Sequence, residues 1–149
     1  MTEGDVAKPK VMVALRDADS VKSLITLACQ VSSGMEAELI ALHVVELPLA
    51  TPIEADDEVL LKPGREILSR AQRFASTCFA GAMSTRLLRA HQAGEAIVGE
   101  LLEQDIDLLV MGYHRPRTLG EILLGSTVQY VARHAPCRVI VQIPPPHPR

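Results

Sequence analysis

The stretch Asp107-Leu108-Leu109-Val110-Met111-Gly112-Tyr113-His114-Arg115-Pro116-Arg117-Thr118-Leu119-Gly120-Glu121-Ile122-Leu123-Leu124-Gly125-Ser126-Thr127 decides how the chain is read. A short apolar run ends at Gly112. After twelve intervening residues, Gly125 and two hydroxyl residues lead into a helical pattern that stops at Pro136. That order predicts a buried strand, a loop with small residues at both ends, and a helix start. Small residues let backbone N–H groups approach an anion, and a helix N-terminus adds favourable potential. His114, Arg115 and Arg117 supply charge between them. Spacing alone leaves two readings open. The loop is a phosphate cradle closed by Ser126 and Thr127, or Gly112 is a tight strand exit and Ser126 an ordinary helix cap.

Outward from this loop, apolar runs alternate with helical patterns. Lys10 to Leu15 reads as a buried strand. A helix follows, capped by Asp19 or Ser20, with Val21, Leu24, Leu27, Ala28 and Val31 on one face and Gly34 at its end. Glu38 to Val45 is a second strand. Pro48 and Pro52 then open a loop of about 10–15 residues, a length that is often functional. A second helix shows Ile67, Ala71, Phe74 and Cys78 on one face, and Pro63-Gly64 interrupts its beginning. Thr85 to Ala90 is a third strand. Gly94 to Gln104 is a third helix with Ile97, Leu101 and Leu102 inward. Asp107 to Met111 is the fourth strand. Leu124, Val128, Val131 and Ala135 give the fourth helix its apolar face, and Cys137 to Ile143 is the last strand. Strands without alternation, separated by amphipathic helices, predict an α/β fold: an open, five-stranded, mainly parallel sheet covered on both faces. Ligands of such sheets sit beyond the carboxyl ends of the strands, where the strand order reverses. The expected organisation is a flexible tail over residues 1–9, one domain over 10–143 and a Pro-rich tail over 144–149.

The chain has 149 residues, enough for a real core, and 48% are apolar, which argues against disorder. A net charge of −3 with no basic run gives no reason to expect nucleic-acid binding. Four aromatic residues, Phe74, Phe79, Tyr113 and Tyr130, are too few for base-stacking surfaces. Cys29, Cys78 and Cys137 have no C-x-x-C spacing and read as reduced packing residues. Histidines at positions 43, 91, 114, 134 and 147 lack ligand spacing, so no metal site is expected. His43 lies inside an apolar strand and reads as a hydrogen-bonded core residue. Asp56-Asp57-Glu58 reads as a solvated cluster, with Mg²⁺ beside a nucleotide as the sharper alternative. No secretory leader and no apolar run of about 20 residues are expected, so the expected location is the cytoplasm, without membrane insertion.

The same residues carry a resemblance. Val110-Met111-Gly112, then two residues, Arg115, nine residues and Gly125-Ser126 are similar to the universal stress protein signature G-x2-G-x9-G-[ST]. Leu42-His43-Val44-Val45, Ala93-Gly94-Glu95-Ala96-Ile97, Glu121-Ile122-Leu123-Leu124 and Val131-Ala132-Arg133-His134-Ala135-Pro136-Cys137-Arg138-Val139-Ile140-Val141 match its flanks. The chain resembles that family from about Lys10 to Ile143. The resemblance implies a Rossmann-like sheet of the adenine nucleotide alpha hydrolase type, a homodimer, a stress-response role, and ATP or another adenine nucleotide as ligand, with Mg²⁺ if ATP. Carried over, Gly112, Gly125 and Ser126 match phosphate-loop positions, and Met111 and Thr127 beside them are further candidates for the site. His114 lies between the glycine positions, and Val44 matches an adenine-side apolar position.

Two positions depart from the pattern. Arg115 replaces the second glycine, and its side chain narrows backbone approach. Arg16 stands where nucleotide-binding members carry an Asp, and Asp17 is one position late on a chain whose neighbouring strand residues point to opposite faces. Asp17 could substitute only if the strand has already turned; the alternative is that Arg16 and Arg115 bind a different anion or plug the pocket. Three functions follow in order: a nucleotide- or anion-responsive regulatory domain, a module that works only through protein contacts, and a slow ATPase. The last ranks lowest because no general base stands beside the loop. The phrases Leu87-Leu88-Arg89-Ala90 and Gly125-Ser126-Thr127-Val128-Gln129-Tyr130-Val131 are similar to stress-protein-like domains appended to transporters, which implies a transporter as partner. Val139, Ile140 and Val141 form an expected edge strand, and antiparallel pairing with its twin would give the dimer.

Overall fold

Five apolar runs form strands, and amphipathic segments between them form helices. The order is β1 (Lys10–Ala14), α1 (Val21–Met35), β2 (Glu38–Glu46), α2 (Glu58–Ala75), β3 (Met83–Ala90), α3 (Ala93–Glu103), β4 (Leu108–Gly112), α4 (Ser126–His134) and β5 (Arg138–Gln142). The computed structural model describes residues 7–54, 57–113 and 125–145. The sheet order is β3-β2-β1-β4-β5, and every pairing is parallel. The chain steps outward from β1 to β3 and then returns to the other side of β1. The order therefore reverses between β1 and β4, and the loops leaving those strands open at that point.

Alternation along each strand feeds two separate cores. Val11, Val13, Leu39, Ala41, Leu108 and Val110 face α1 and α2. Met12, Ile40, Leu42, Leu109 and Met111 face α3 and α4. Both sheet faces are covered, which is why the central strands show no polar alternation. The edge strand β5 carries Val139, Ile140 and Val141, each half-buried.

Several local expectations are corrected. Gly34 lies inside α1. The helix ends through Glu36, whose backbone adopts φ 54° and whose N–H turns back to the last carbonyls. Neither Asp19 nor a Ser20 side chain caps α1. Ser20 occupies the cap position, but its side chain makes no bond to the helix N–H groups, and the Asp17 carboxylate accepts from Ser20 N–H at 3.0 Å. Pro63-Gly64 does not interrupt α2, whose start is set by Asp57 accepting from Val59 N–H at 3.0 Å. The missing bond at Pro63 is outweighed because Leu61, Gly64, Leu68, Ala71 and Ala75 all bury against the sheet. Cys78 lies beyond the end of α2 and is exposed. Leu102 is 60% exposed: it falls on the solvent side of α3, while Ile97, Val98 and Leu101 pack inward. Leu124 lies outside the described residues.

Candidate functional site

The candidate edge is built by register. Ala14, the last residue of β1, pairs with Leu42 on one side and Met111 on the other. Val44 lies two residues beyond Leu42 on the same face. Ala14 and Val44 are half-buried against the α3–α4 core, while Met111 is fully buried there. The face thus ends in the apolar, half-buried pair Ala14 and Val44.

Helix α4 begins at this same edge of the sheet. Gly125 is its cap residue and offers no side chain. Gln129 N–H is the first to bond within the helix, to Gly125 O at 3.0 Å. The N–H groups of Ser126, Thr127 and Val128 precede that bond and have no partner inside the helix. Val128 is buried and anchors the turn, whereas Ser126 is exposed and Thr127 half-buried. Such a helix start presents donors and positive potential to an anion.

The other sequence candidates divide. Gly112 faces the opposite way, toward α1: a Cβ built there would stand 3.2 Å from Leu24 Cδ1. Its small size therefore also serves helix–sheet packing. Arg16 is exposed just beyond β1. Asp17 is committed to the entry of α1, accepting from Ser20 N–H, while Ser20 Oγ donates to the Asp17 carbonyl at 3.2 Å. His114, Arg115 and Arg117 lie outside the described residues. Of the acidic loop cluster, Asp57 caps α2 and Glu58 pairs with Arg65 at 3.1 Å, and Asp56 is not described.

His43 is confirmed as a core residue. Its Nδ1 lies 2.7 Å from Leu15 O, so that nitrogen carries a proton and donates it. Sequence reasoning did not single out Tyr113. Its N–H donates to Gln142 O at 2.9 Å, continuing the β4–β5 pairing past Gly112. Its ring is buried, and its hydroxyl has no partner among the described residues. One of few aromatic residues, immediately after the loop glycine, was the available signal.

A fully parallel five-stranded sheet with helices on both faces, and a strand–loop–helix unit at its reversal point, defines the Rossmann-like class of doubly wound α/β domains. Within that class, the profile of the Universal stress protein family matches residues 9–142, and the chain belongs to that family. A universal stress protein of Methanocaldococcus jannaschii is 28% identical over 144 residues, covering 93% of this chain and 84% of that protein. The structure of the universal stress protein UspA from Lactobacillus plantarum has TM-score 0.72 and 26% identity, covering 93% of this chain and 99% of that one. The structure of a universal stress protein in complex with cAMP has TM-score 0.68 and 25% identity, covering 91% and 97%.

Proposed function

We propose that the chain is a regulatory domain that takes an adenine nucleotide at the β1–β4 edge and signals through protein contacts, without a reaction of its own. The base lies against Ala14 and Val44, and the phosphate meets the start of α4 at Gly125, Ser126 and Thr127. Met111 and Gly112 position the loop between them. The observation that carries this reading is that the apolar, half-buried Ala14 and Val44 stand at the same sheet edge as the start of α4, whose Gly125 cap has no side-chain bond among the described residues. The cAMP complex of a 25% identical protein supports the class of ligand. The proposed working form is a cytoplasmic homodimer paired through Val139, Ile140 and Val141 of β5.

One observation favours a second reading, in which the domain binds only a protein such as a transporter. Arg16 occupies the position of the expected carboxylate, and the Asp17 carboxylate already serves α1.

Calorimetric titration of the parent, Val44→Glu and Arg115→Gly with ATP, AMP, cAMP and a cyclic dinucleotide separates the two. The first reading expects an adenine nucleotide to bind the parent, and Val44→Glu to weaken it about tenfold or more, some 1.4 kcal/mol. Binding only to Arg115→Gly means an intact but plugged pocket and selects the second reading. Silence in both parent and Arg115→Gly ends the nucleotide reading.

A further inference from the structure

We propose that Cys29 and Cys78 are a modification site: a thiol pair that a hydroperoxide converts into an intramolecular, reversible disulfide. The two residues are 49 apart in sequence, yet the fold brings their Sγ atoms to 2.9 Å. A disulfide bond is about 2.05 Å, so under 1 Å of further approach closes it.

The two thiols are not equivalent. Cys78 lies in the turn after α2 and is exposed, so a small oxidant reaches its sulfur directly. Cys29 lies within α1 and is only 2% exposed, with its sulfur against that of Cys78. Burial, followed by the hydrogen bond and charge of Cys78, pushes the Cys29 thiol up to about 12. Cys29 is therefore a neutral thiol at physiological pH, and Cys78 is the one to attack first.

The chemistry balances with the hydroperoxide as oxidant. The Cys78 thiolate attacks the terminal peroxide oxygen and the O–O bond breaks. The sulfur is oxidised by two electrons to a sulfenic acid, and the alcohol or water leaves with a proton. Cys29 sulfur then attacks the Cys78 sulfur. The S–O bond breaks, and the departing hydroxide takes the Cys29 proton as water. Two thiols and one hydroperoxide become one disulfide, one alcohol and one water. An attached thiol 2.9 Å away intercepts the sulfenic acid before further oxidation can compete. The bond would staple α1 to the end of α2, on the side of the sheet next to β3. It leaves the β5 edge free and does not depend on the nucleotide reading.

The test is brief treatment of the full chain with equimolar hydrogen peroxide, then denaturing alkylation and peptide mapping by mass spectrometry. The expected product is a Cys29–Cys78 peptide pair, two hydrogens lighter than its thiols and restored by dithiothreitol, with Cys137 alkylated. In Cys29→Ala, a dimedone adduct should accumulate on Cys78. In Cys78→Ser, Cys29 should remain an alkylatable thiol. If Cys29→Ala does not fold, the parent map and the exposed-site variant Cys78→Ser decide alone. A parent that ends with Cys78 as sulfenic or sulfinic acid and Cys29 free overturns the proposal. So does a parent in which neither thiol reacts, or one linked only between chains.

Discussion

Gly64 and the imidazole of His43 fill the same space between α2 and the sheet: a Cβ built on Gly64 would stand 2.7 Å from His43 Cδ2 and 2.9 Å from Leu87 Cδ1. The ring cannot swing away freely, because its Nδ1–H is held by Leu15 O at 2.7 Å. Alanine is intrinsically better than glycine in a helix by about 1 kcal/mol. Overpacking at such a contact costs about 1–3 kcal/mol. Contacts of 2.7 and 2.9 Å put the overpacking cost in the upper part of that range, so net of the helix gain Gly64→Ala is expected to lower the urea-unfolding free energy by about 1–2 kcal/mol. Adding His43→Ala should shrink that increment, as a double-mutant cycle reads directly. A neutral or stabilising Gly64→Ala would mean that the helix and sheet separate without cost.

The same two residues show what sequence can and cannot reveal. The alternation of apolar runs and helical patterns was enough for the strand order along the chain, the parallel sheet and the edge position of β5, because these depend on periodicity that any buried α/β chain must keep. Pro63-Gly64 was legible only as a break, since local propensity carries no record of Leu61, Leu68 and Ala71 holding α2 down on both sides. At the site, the glycine spacing identified the family, but it could not say that Gly112 faces Leu24 while Val44 faces the α3–α4 core. Nor could it pair Asp17 with Ser20 N–H, which depends on where β1 stops. Cys29 and Cys78 were legible only as reduced packing residues, because their meeting is set by the packing of α1 against α2.

Glu100 is 3% exposed on α3 and takes both its hydrogen bonds from Arg86 of β3, at 3.0 and 3.3 Å. Removing the guanidinium leaves a carboxylate against the sheet. Losing one partner of a fully enclosed pair costs about 3–5 kcal/mol. Here the Arg86 side chain is 44% exposed, so water enters in its place. Arg86→Ala is expected to cost about 2 kcal/mol in denaturant unfolding, and Arg86→Met with Glu100→Leu to recover most of it. If Arg86→Ala changes stability by less than about 0.5 kcal/mol, solvent already carries the charge on Glu100.

The proposed dimer rests on the outer edge of β5, whose middle residue Ile140 is half-buried and packs in part against the α1–α2 core. A charge there touches the interface and the fold together. Lysine limits the damage, since its stem lies along apolar surface while its ammonium reaches water. Ile140→Lys is expected to give a monomer by light scattering that still unfolds cooperatively. A folded variant that remains dimeric would move the interface elsewhere; a parent that is monomeric at all concentrations would remove it.

Buried Cys29 also makes stability depend on alkaline pH. Its thiol is raised from 9.0 to about 12, by burial first and then by the hydrogen bond and charge of Cys78. Because the folded value lies above the unfolded one, the stabilisation is fully present below pH 9.0 and is lost as pH rises toward about 12. Between those values the unfolded chain has released a proton that the folded chain keeps, so this group lowers stability by at most about 1.4 kcal/mol per pH unit. The quantity that isolates this group is the difference from Cys29→Ala, measured under reducing conditions. That difference should hold steady up to about pH 9 and narrow above it. Cys78→Ser removes two of the three causes but leaves burial, so its loss should begin at the same pH and end sooner. A difference that stays flat as the pH climbs would mean that the fold does not hold the Cys29 proton, and that the thiol is more open than its place under Cys78 implies.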